Sequence, residues 1–250
     1  MSHSDRYVLA NWPAPRHVVA FTTTRLGGYS QEPYETNNLA LHVNDNEQHV
    51  QLNRQQLRQD WHLDKDITWL DQVHGNTVLN LDSPVMTSSA DAVMTTQKHR
   101  PCVVLTADCL PVLICNNNGS EVAAIHAGWR GLQSGIIAAT IKRLQSQPHT
   151  LMAWFGPAIG QSHLKLNKCI RQQFIEQDSE YAPAFENVNN EPHLDLFHLA
   201  RIQLSKVGVE ATYGGNHCTY SDSSKFYSYR TNRTTGRMAS MIFINPAPLV

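Results

Sequence analysis

The sequence predicts a mixed α/β fold in one domain. Three observations predict it: short β-rich runs alternate with helix-periodic stretches, an Asn-Gly pair separates two of those runs, and no repeat, low-complexity tract or linker divides the 250 residues. A chain of this length buries a sizeable core, and α/β folds commonly reach it undivided, so residues 1–250 read as a single domain. Hairpins among the strands argue against a purely parallel, doubly wound sheet.

The elements follow in order. Asp45, followed three residues later by Gln48, reads as a capping box that opens a helix through about Trp61, with Val50, Leu57 and Trp61 on one face. β-rich runs come next at 67–70, 77–81, 92–95 and 102–106. The stretch LPVLICNNNGSEVAAIHAG then reads as two strands around Asn118-Gly119, a pair that favours a two-residue type I′ turn. Residues 133–147 carry Ile136, Ile137, Thr140, Ile141 and Leu144 at helical spacing, with Pro148 as the stop. Residues 151–155 return as a buried strand, and 196–207 form a further helix ending at Gly208.

The hairpin has a chemical consequence. A two-residue loop pairs Asn117 with Ser120, Pro111 with His126 and Cys109 with Gly128. Side chains alternate with period 2, so Cys109, Pro111 and His126 share a face, and Cys109 and His126 become diagonal neighbours at the open end. Diagonal Cβ atoms lie roughly 7 Å apart, a span that a thiolate and an imidazole can close around a metal ion. His74, in the segment DQVHG, stands 35 residues before Cys109, which stands 17 before His126, so only the fold can gather the three. Two imidazoles and a thiolate suit a borderline-soft ion such as Zn²⁺ and leave its fourth position open, as in a catalytic site. Taken as residues alone, Cys109 also suits a small buried hydrophobe, His74 a loop histidine capped by Gly75, and His126 a strand-end histidine bonded to backbone.

Composition narrows the classes of function. A formal net charge of -1 with the basic residues spread along the chain gives no field for nucleic acid or a membrane surface. The N-terminus lacks a basic region followed by a long apolar stretch, so the expectation is a cytoplasmic protein without an export signal. Five irregularly spaced cysteines point to reduced thiols, with Cys102, Cys115, Cys169 and Cys218 expected as small buried hydrophobes. The ten histidines outside the trio, His3, His49 and His149 among them, are expected to be solvated.

Other motifs complete a set. Besides DQVHG (71–75), TADCLPVLI (106–114) and AIHAGWRG (124–131), the chain carries FTTTRLGG (21–28), NNLALHVNDN (37–46), SSADAVMT (88–95), FGPAIG (155–160), HCTY (217–220) and FYSYRTNRTTGRMA (226–239). Together these resemble the YfiH-like family, called peptidoglycan editing factor or purine nucleoside phosphorylase and once labelled multicopper polyphenol oxidase or laccase-like. The resemblance runs from about Phe21 to the C-terminus. It implies a layered sandwich of mixed β-sheets flanked by helices, and it places His74, Cys109 and His126 in the motifs that hold the family's metal ligands. It further implies a zinc enzyme that phosphorolyses purine nucleosides (adenosine, inosine, guanosine, methylthioadenosine), with an associated adenosine deaminase activity. In one departure, Lys165 follows GPAIG where family members commonly carry an acidic residue.

Around the trio, the resemblance gathers candidates for substrate contact. Gly128-Trp129-Arg130-Gly131 precedes a helix expected near Gln133, and it reads either as an anion site with the Arg130 guanidinium beside it or as a close-packed strand-to-helix turn. Arg25, Arg230 and Arg237 sit beside Gly, Ser or Thr in loop-like sequence suited to phosphate or ribose. Asn38 and Gln72 can bond a base or sugar, or hold turns. Asp108, beside Cys109, is the candidate for proton transfer or for orienting a ligand. Three other readings stand beside this one. In the first, a metal-free cysteine hydrolase uses Cys109 as nucleophile and His126 as base, acting as an amidase on a muramyl peptidoglycan precursor. A copper polyphenol oxidase is less favoured, because the thirteen histidines include no His-X-His pair to build a multicopper cluster. Last is a protein that binds a metabolite without chemistry.

Overall fold

Two sheets pack face to face between helical layers. The computed structural model describes residues 3–245, with side chains from Asp5 onward. One sheet is antiparallel, in the order β1 (Tyr7–Leu9), β2 (Val18–Thr23), β12 (Met238–Ile244), β5 (Cys102–Thr106). The other runs β11 (Ala211–Gly214), β8 (Leu151–Phe155), β6 (Leu110–Asn116), β7 (Val122–Ala127), β4 (Ala92–Thr95), β3 (Val78–Asn80). It is mixed: β11/β8 and β3/β4 are parallel, and the pairs between them are antiparallel. A separate hairpin joins β9 (Phe185–Val188) to β10 (Glu191–Leu194). The helices are α1 (His3–Arg6), α2 (Glu47–Asp60), α3 (Trp129–Gln133), α4 (Ile136–Arg143), α5 (Lys168–Gln177) and α6 (Leu196–Lys206).

Alternation along the strands assigns each side chain to a layer. On β5, Cys102 and Val104 face the six-stranded sheet, meeting Leu113, Cys115, Val122 and Ala124, while Val103 and Leu105 face outward with Phe21 and Met241 toward Leu57 of α2. On the far side, Val112, Ile114, Ile125 and Phe155 pack against Ile136, Ile137 and Ile141 of α4 and Leu199 and Leu204 of α6. β6 and β7 are thus covered on both faces, which is why LPVLICN and VAAIHA read as unbroken apolar runs. The layered sandwich of mixed sheets flanked by helices is the fold observed.

Several elements differ from the sequence reading, each for a local reason. Asn46, rather than Asp45, caps α2, its side chain accepting the N–H groups of Gln48 and His49. Asp45 instead receives Ser30 Oγ and Asn38 Nδ2. Val50 and Leu57 are buried as expected, and Trp61 stacks on Phe21 at a centroid distance of 4.2 Å. Residues 67–70 make no strand: Ile67 and Trp69 pack into the α2 layer and Leu70 between the sheets, an alternation without a ladder partner. The helix expected over 133–147 begins earlier and is broken, because Gly135 adopts a left-handed φ of 80° between α3 and α4. The hairpin loop holds four residues, 117–120, with Gly119 at φ 65° and its N–H on Asn116 O. Four is even like two, so the register survives, with Pro111 opposite His126 and Cys115 opposite Val122.

Candidate metal centre

The sheet ladders build the site. His126 is the penultimate residue of β7 and points, like Val122 and Ala124, into the layer between the sheets. Cys109 lies just before β6 on the same face as Pro111, and His74 comes from the loop before β3. Their ligand atoms all lie within 4.8 Å of one another, and the His74 and His126 rings meet edge to face at 4.8 Å. Burial is graded from exposed His74 through half-buried Cys109 to buried His126, so the trio opens toward solvent on one side.

Asp91 organises two of the three. It precedes β4, directly opposite His126 in the β4/β7 ladder, where His126 N–H donates to its carbonyl at 2.7 Å. On the side-chain face, Asp91 Oδ1 meets His126 Nδ1 at 2.8 Å. The same carboxylate accepts the backbone N–H groups of Val73, His74 and Gly75 at 3.3, 2.9 and 2.7 Å. Three successive N–H groups converging on one anion form a nest, and the nest holds His74 in its left-handed conformation (φ 60°). With a carboxylate on Nδ1, that nitrogen carries the proton, which leaves Nε2 of His126 for Cys109 or an ion.

The charges reinforce one another. Burial opposes the Asp91 carboxylate, but hydrogen bonds from His126, then from Gly75 and His74, outweigh it and hold the acid below its usual range. Burial likewise works against a Cys109 thiolate, yet the charge and hydrogen bond of His126, followed by those of His74, bring the thiol down to about 6. For His126, burial is overcome by Cys109 and Asp91, and the imidazole rises to about 9. A thiolate and an imidazolium thus stabilise each other here.

A cavity of about 770 Å³ opens over the trio, walled in part by Trp129, Ile159, Leu164 and Tyr229 and by the guanidinium-bearing Arg130, Arg230, Arg233 and Arg237. A larger open groove of about 980 Å³ beside α2, lined mainly by glutamines, arginines and acids, shares no wall residue with this cavity. Of the residues singled out in the sequence, Arg130, Arg230, Arg237, Gln72 and Asp108 reach the cavity wall. Arg130 lies over Trp129 at 4.3 Å, inside α3 rather than before it, since Gly128 is that helix's N-cap. Arg237 donates to the carbonyls of Thr235 and Gly236, and burial lowers its pKa. Gln72 turns both ends of its amide to the backbone of Leu105. Asp108, at φ 87°, accepts Thr219 Oγ1 at 2.7 Å and Arg230 N–H at 2.6 Å, tying two loops to the residue before Cys109.

Arg25 and Asn38 bond to backbone groups. Neither is among the cavity's wall residues. Arg25 bonds to the carbonyls of Glu35 and Ser223 and stacks over Tyr227 at 5.0 Å, tethering two loops. Buried Asn38 bonds to the N–H and C=O of Ala40 and accepts Arg237 N–H, so it supports the wall from behind. Among the cysteines, Cys102 and Cys115 are buried with thiols pushed up by desolvation, as expected. Cys169 is exposed, against expectation. Cys218, half-buried, accepts N–H groups of Gly160 and Ser221, and hydrogen bonds to it outweigh burial and lower its pKa. The histidines are not uniformly solvated either: His149 is, whereas His163 stacks on Tyr220, His49 is half-buried and His42 joins the cavity wall. The side chain of His3 lies outside the described residues. Lys165 pairs with Glu191 at 3.1 Å, fastening its loop to the β9–β10 hairpin.

Sequence reasoning missed Asp91, His42 and Arg233. Asp91 and His42 sit in motifs the sequence displayed, SSADAVMT and NNLALHVNDN; Asp91 gains its meaning only once β4 is known to pair with β7.

Comparison with known proteins agrees with this architecture. A family described as "Multi-copper polyphenol oxidoreductase laccase" matches residues 19–245. "Purine nucleoside phosphorylase YfiH" of Escherichia coli is 42% identical over 241 residues, covering 96% of this chain and 99% of that one. The chain belongs to the YfiH family. A YfiH-family relative from Haemophilus influenzae, named "Purine nucleoside phosphorylase", is 42% identical over 236 residues, covering 93% and 97% of the two chains. The crystal structure of a Neisseria meningitidis protein superposes with a TM-score of 0.91 at 40% identity, covering 96% of this chain and 99% of that one. That of YlmD from Geobacillus stearothermophilus gives 0.84 at 27% identity, with 93% and 94% covered. The names of the curated relatives support an enzyme, a nucleoside phosphorylase. No helix among the described residues is long and apolar enough to cross a membrane.

Proposed function

We propose that this YfiH-family chain is a zinc-dependent purine nucleoside phosphorylase acting on adenosine, inosine, guanosine and methylthioadenosine, with adenosine deaminase activity at the same site. The observation that carries the proposal is the trio His74, Cys109 and His126 at the floor of a cavity with four guanidinium groups on its wall. The donor set fits the metal: two imidazoles and a thiol already biased toward thiolate, with Asp91 fixing the tautomer of His126. Among the described residues it is the one cluster of three or more metal-ligating side chains, too few for a multicopper centre. Bound there, Zn²⁺ would act as a Lewis acid.

The protein's own groups supply the rest. Arginine forks suit a phosphate dianion, and Arg130, Arg230, Arg233 and Arg237 can draw it in and aim it at the anomeric carbon of the ribose. Trp129, Tyr229, Ile159 and Leu164 offer apolar surface for a purine ring. A second reading has a specific observation behind it. Cys109, His126 and Asp91 also line up as nucleophile, base and orienting carboxylate, the order a metal-free cysteine amidase would use on a muramyl precursor.

Adenosine incubated with and without phosphate separates these readings. The proposal expects adenine and ribose 1-phosphate only when phosphate is present, with inosine formed independently of it. Turnover of neither kind, together with release of an amino acid from a muramyl amide, would overturn it in favour of the hydrolase.

A further inference from the structure

His42 is a cavity residue that the trio and the arginines leave unexplained. It sits on a single turn, Leu41–Val43, within NNLALHVNDN, and residues on both sides of that turn brace it. Asn38 bonds to both the N–H and the C=O of Ala40, Arg54 donates twice to Leu39 O at 3.0 and 2.8 Å, and Tyr34 Oη donates to Val43 O. Asp45 anchors Asn38 in turn at 2.9 Å. Asn38, Asp45, Arg54 and Tyr34 thus hold a short turn in place. What that turn presents to the cavity is one imidazole, and neither of its ring nitrogens has a hydrogen-bond partner among the described residues.

Resting on the phosphorylase reading, we propose that His42 is the catalytic residue that supplies the proton to the departing purine at N7. When phosphate oxygen bonds to the anomeric carbon, the C1′–N9 bond breaks and its electron pair goes to the base, which leaves readily only if a proton reaches the imidazole portion of the ring. In the balance, hydrogenphosphate loses one proton and the purine gains one: as neutral His42 gives its N–H proton to N7, its other ring nitrogen takes a proton from the phosphate, directly or through water, in the same step, so the imidazole ends neutral as it began. Among the wall residues, arginines can bond N7 but do not release a proton near neutrality. Cys109, His74 and His126 are committed to the metal centre, and both oxygens of Asp108 already accept hydrogen bonds. His42 is the one cavity imidazole outside the trio, and imidazole is the side chain suited to exchanging protons at this pH. Partial burial and the positive charges of Arg237 and Arg54, opposed by Asp71, favour its neutral form, in which one nitrogen donates while the other stands ready to accept.

A nucleoside methylated at N7 tests this, because its purine already carries the positive charge and departs without a proton. His42→Ala is expected to lower kcat for guanosine phosphorolysis about 100-fold or more while leaving kcat for 7-methylguanosine within about threefold of the unaltered protein. Equal losses on both substrates would make His42 a positioning residue and overturn the assignment, as would full activity on guanosine. If the unaltered protein turned over neither nucleoside, the phosphorylase reading would fail first and take this assignment with it. The His42 ring makes no hydrogen bond among the described residues, so its removal leaves the fold intact, and the 7-methylguanosine rate reports on folding directly.

Discussion

Replacing His74 with alanine is expected to reduce phosphorolysis at least about a thousandfold, equivalent to about 4 kcal/mol of transition-state stabilisation, with the fold intact. His74 is exposed, and its backbone N–H, rather than its side chain, bonds to Asp91, so truncating the ring removes a ligand without opening the core. Cys109→Ala is expected to match it in size, since either change leaves two ligands where a catalytic site needs three. The two variants together are more informative than either. A cysteine hydrolase would lose everything with Cys109 but retain activity without His74, because a Cys-His-Asp arrangement does not need the second imidazole as a ligand. Steady-state kcat/KM beside a thermal melt checks both points, and retained phosphorolysis in His74→Ala would contradict the metal reading.

Asp91→Ala is expected to be the most destabilising of the site substitutions, costing about 3–5 kcal/mol in the metal-free protein. It leaves Nδ1 of buried His126 and the converging N–H groups of residues 73–75 without their shared acceptor. Asp91→Asn keeps the volume but directs an amide donor at other donors, and it is expected to weaken metal binding about 10- to 100-fold. The pH dependence has a definite sign. Because the folded protein holds the Asp91 carboxyl below its usual range, its contribution is fully present above the ordinary carboxylate pKa and is lost as pH falls through the depressed value. Urea unfolding of the two proteins should therefore differ most near neutrality and converge in acid. A constant difference down to low pH would show that Asp91 acts by packing rather than by charge.

The sequence made Cys109 and His126 legible as a pair because a hairpin is local: Asn118-Gly119 sets the register, and an even loop, two residues or four, gives the same parity. Strands 92–95, 102–106 and 151–155 were readable for a similar reason, their apolar residues standing between clear turn signals. Long-range ladders were not readable. Asp91 lies opposite His126 only because β4 pairs with β7, and no spacing in the sequence announces that pairing. The break at Gly135 was also invisible to periodicity, since the apolar positions of α4 stay in phase after it. Arg25 and Asn38 read as ligand contacts or as structural residues alike, because loops that hold a site in shape draw on the same residue types as loops that touch its substrate. Their backbone partners, which favour the structural reading, are known only from the fold.

The central claim is that three side chains hold one metal ion on which nucleoside turnover depends. Metal content per chain should be measured on protein purified without added metal or chelator, with adenosine phosphorolysis assayed on the same preparation before and after chelation. About one zinc per chain, with turnover lost on chelation and restored by zinc, is the predicted result; phosphorolysis undiminished in fully metal-free protein would contradict it.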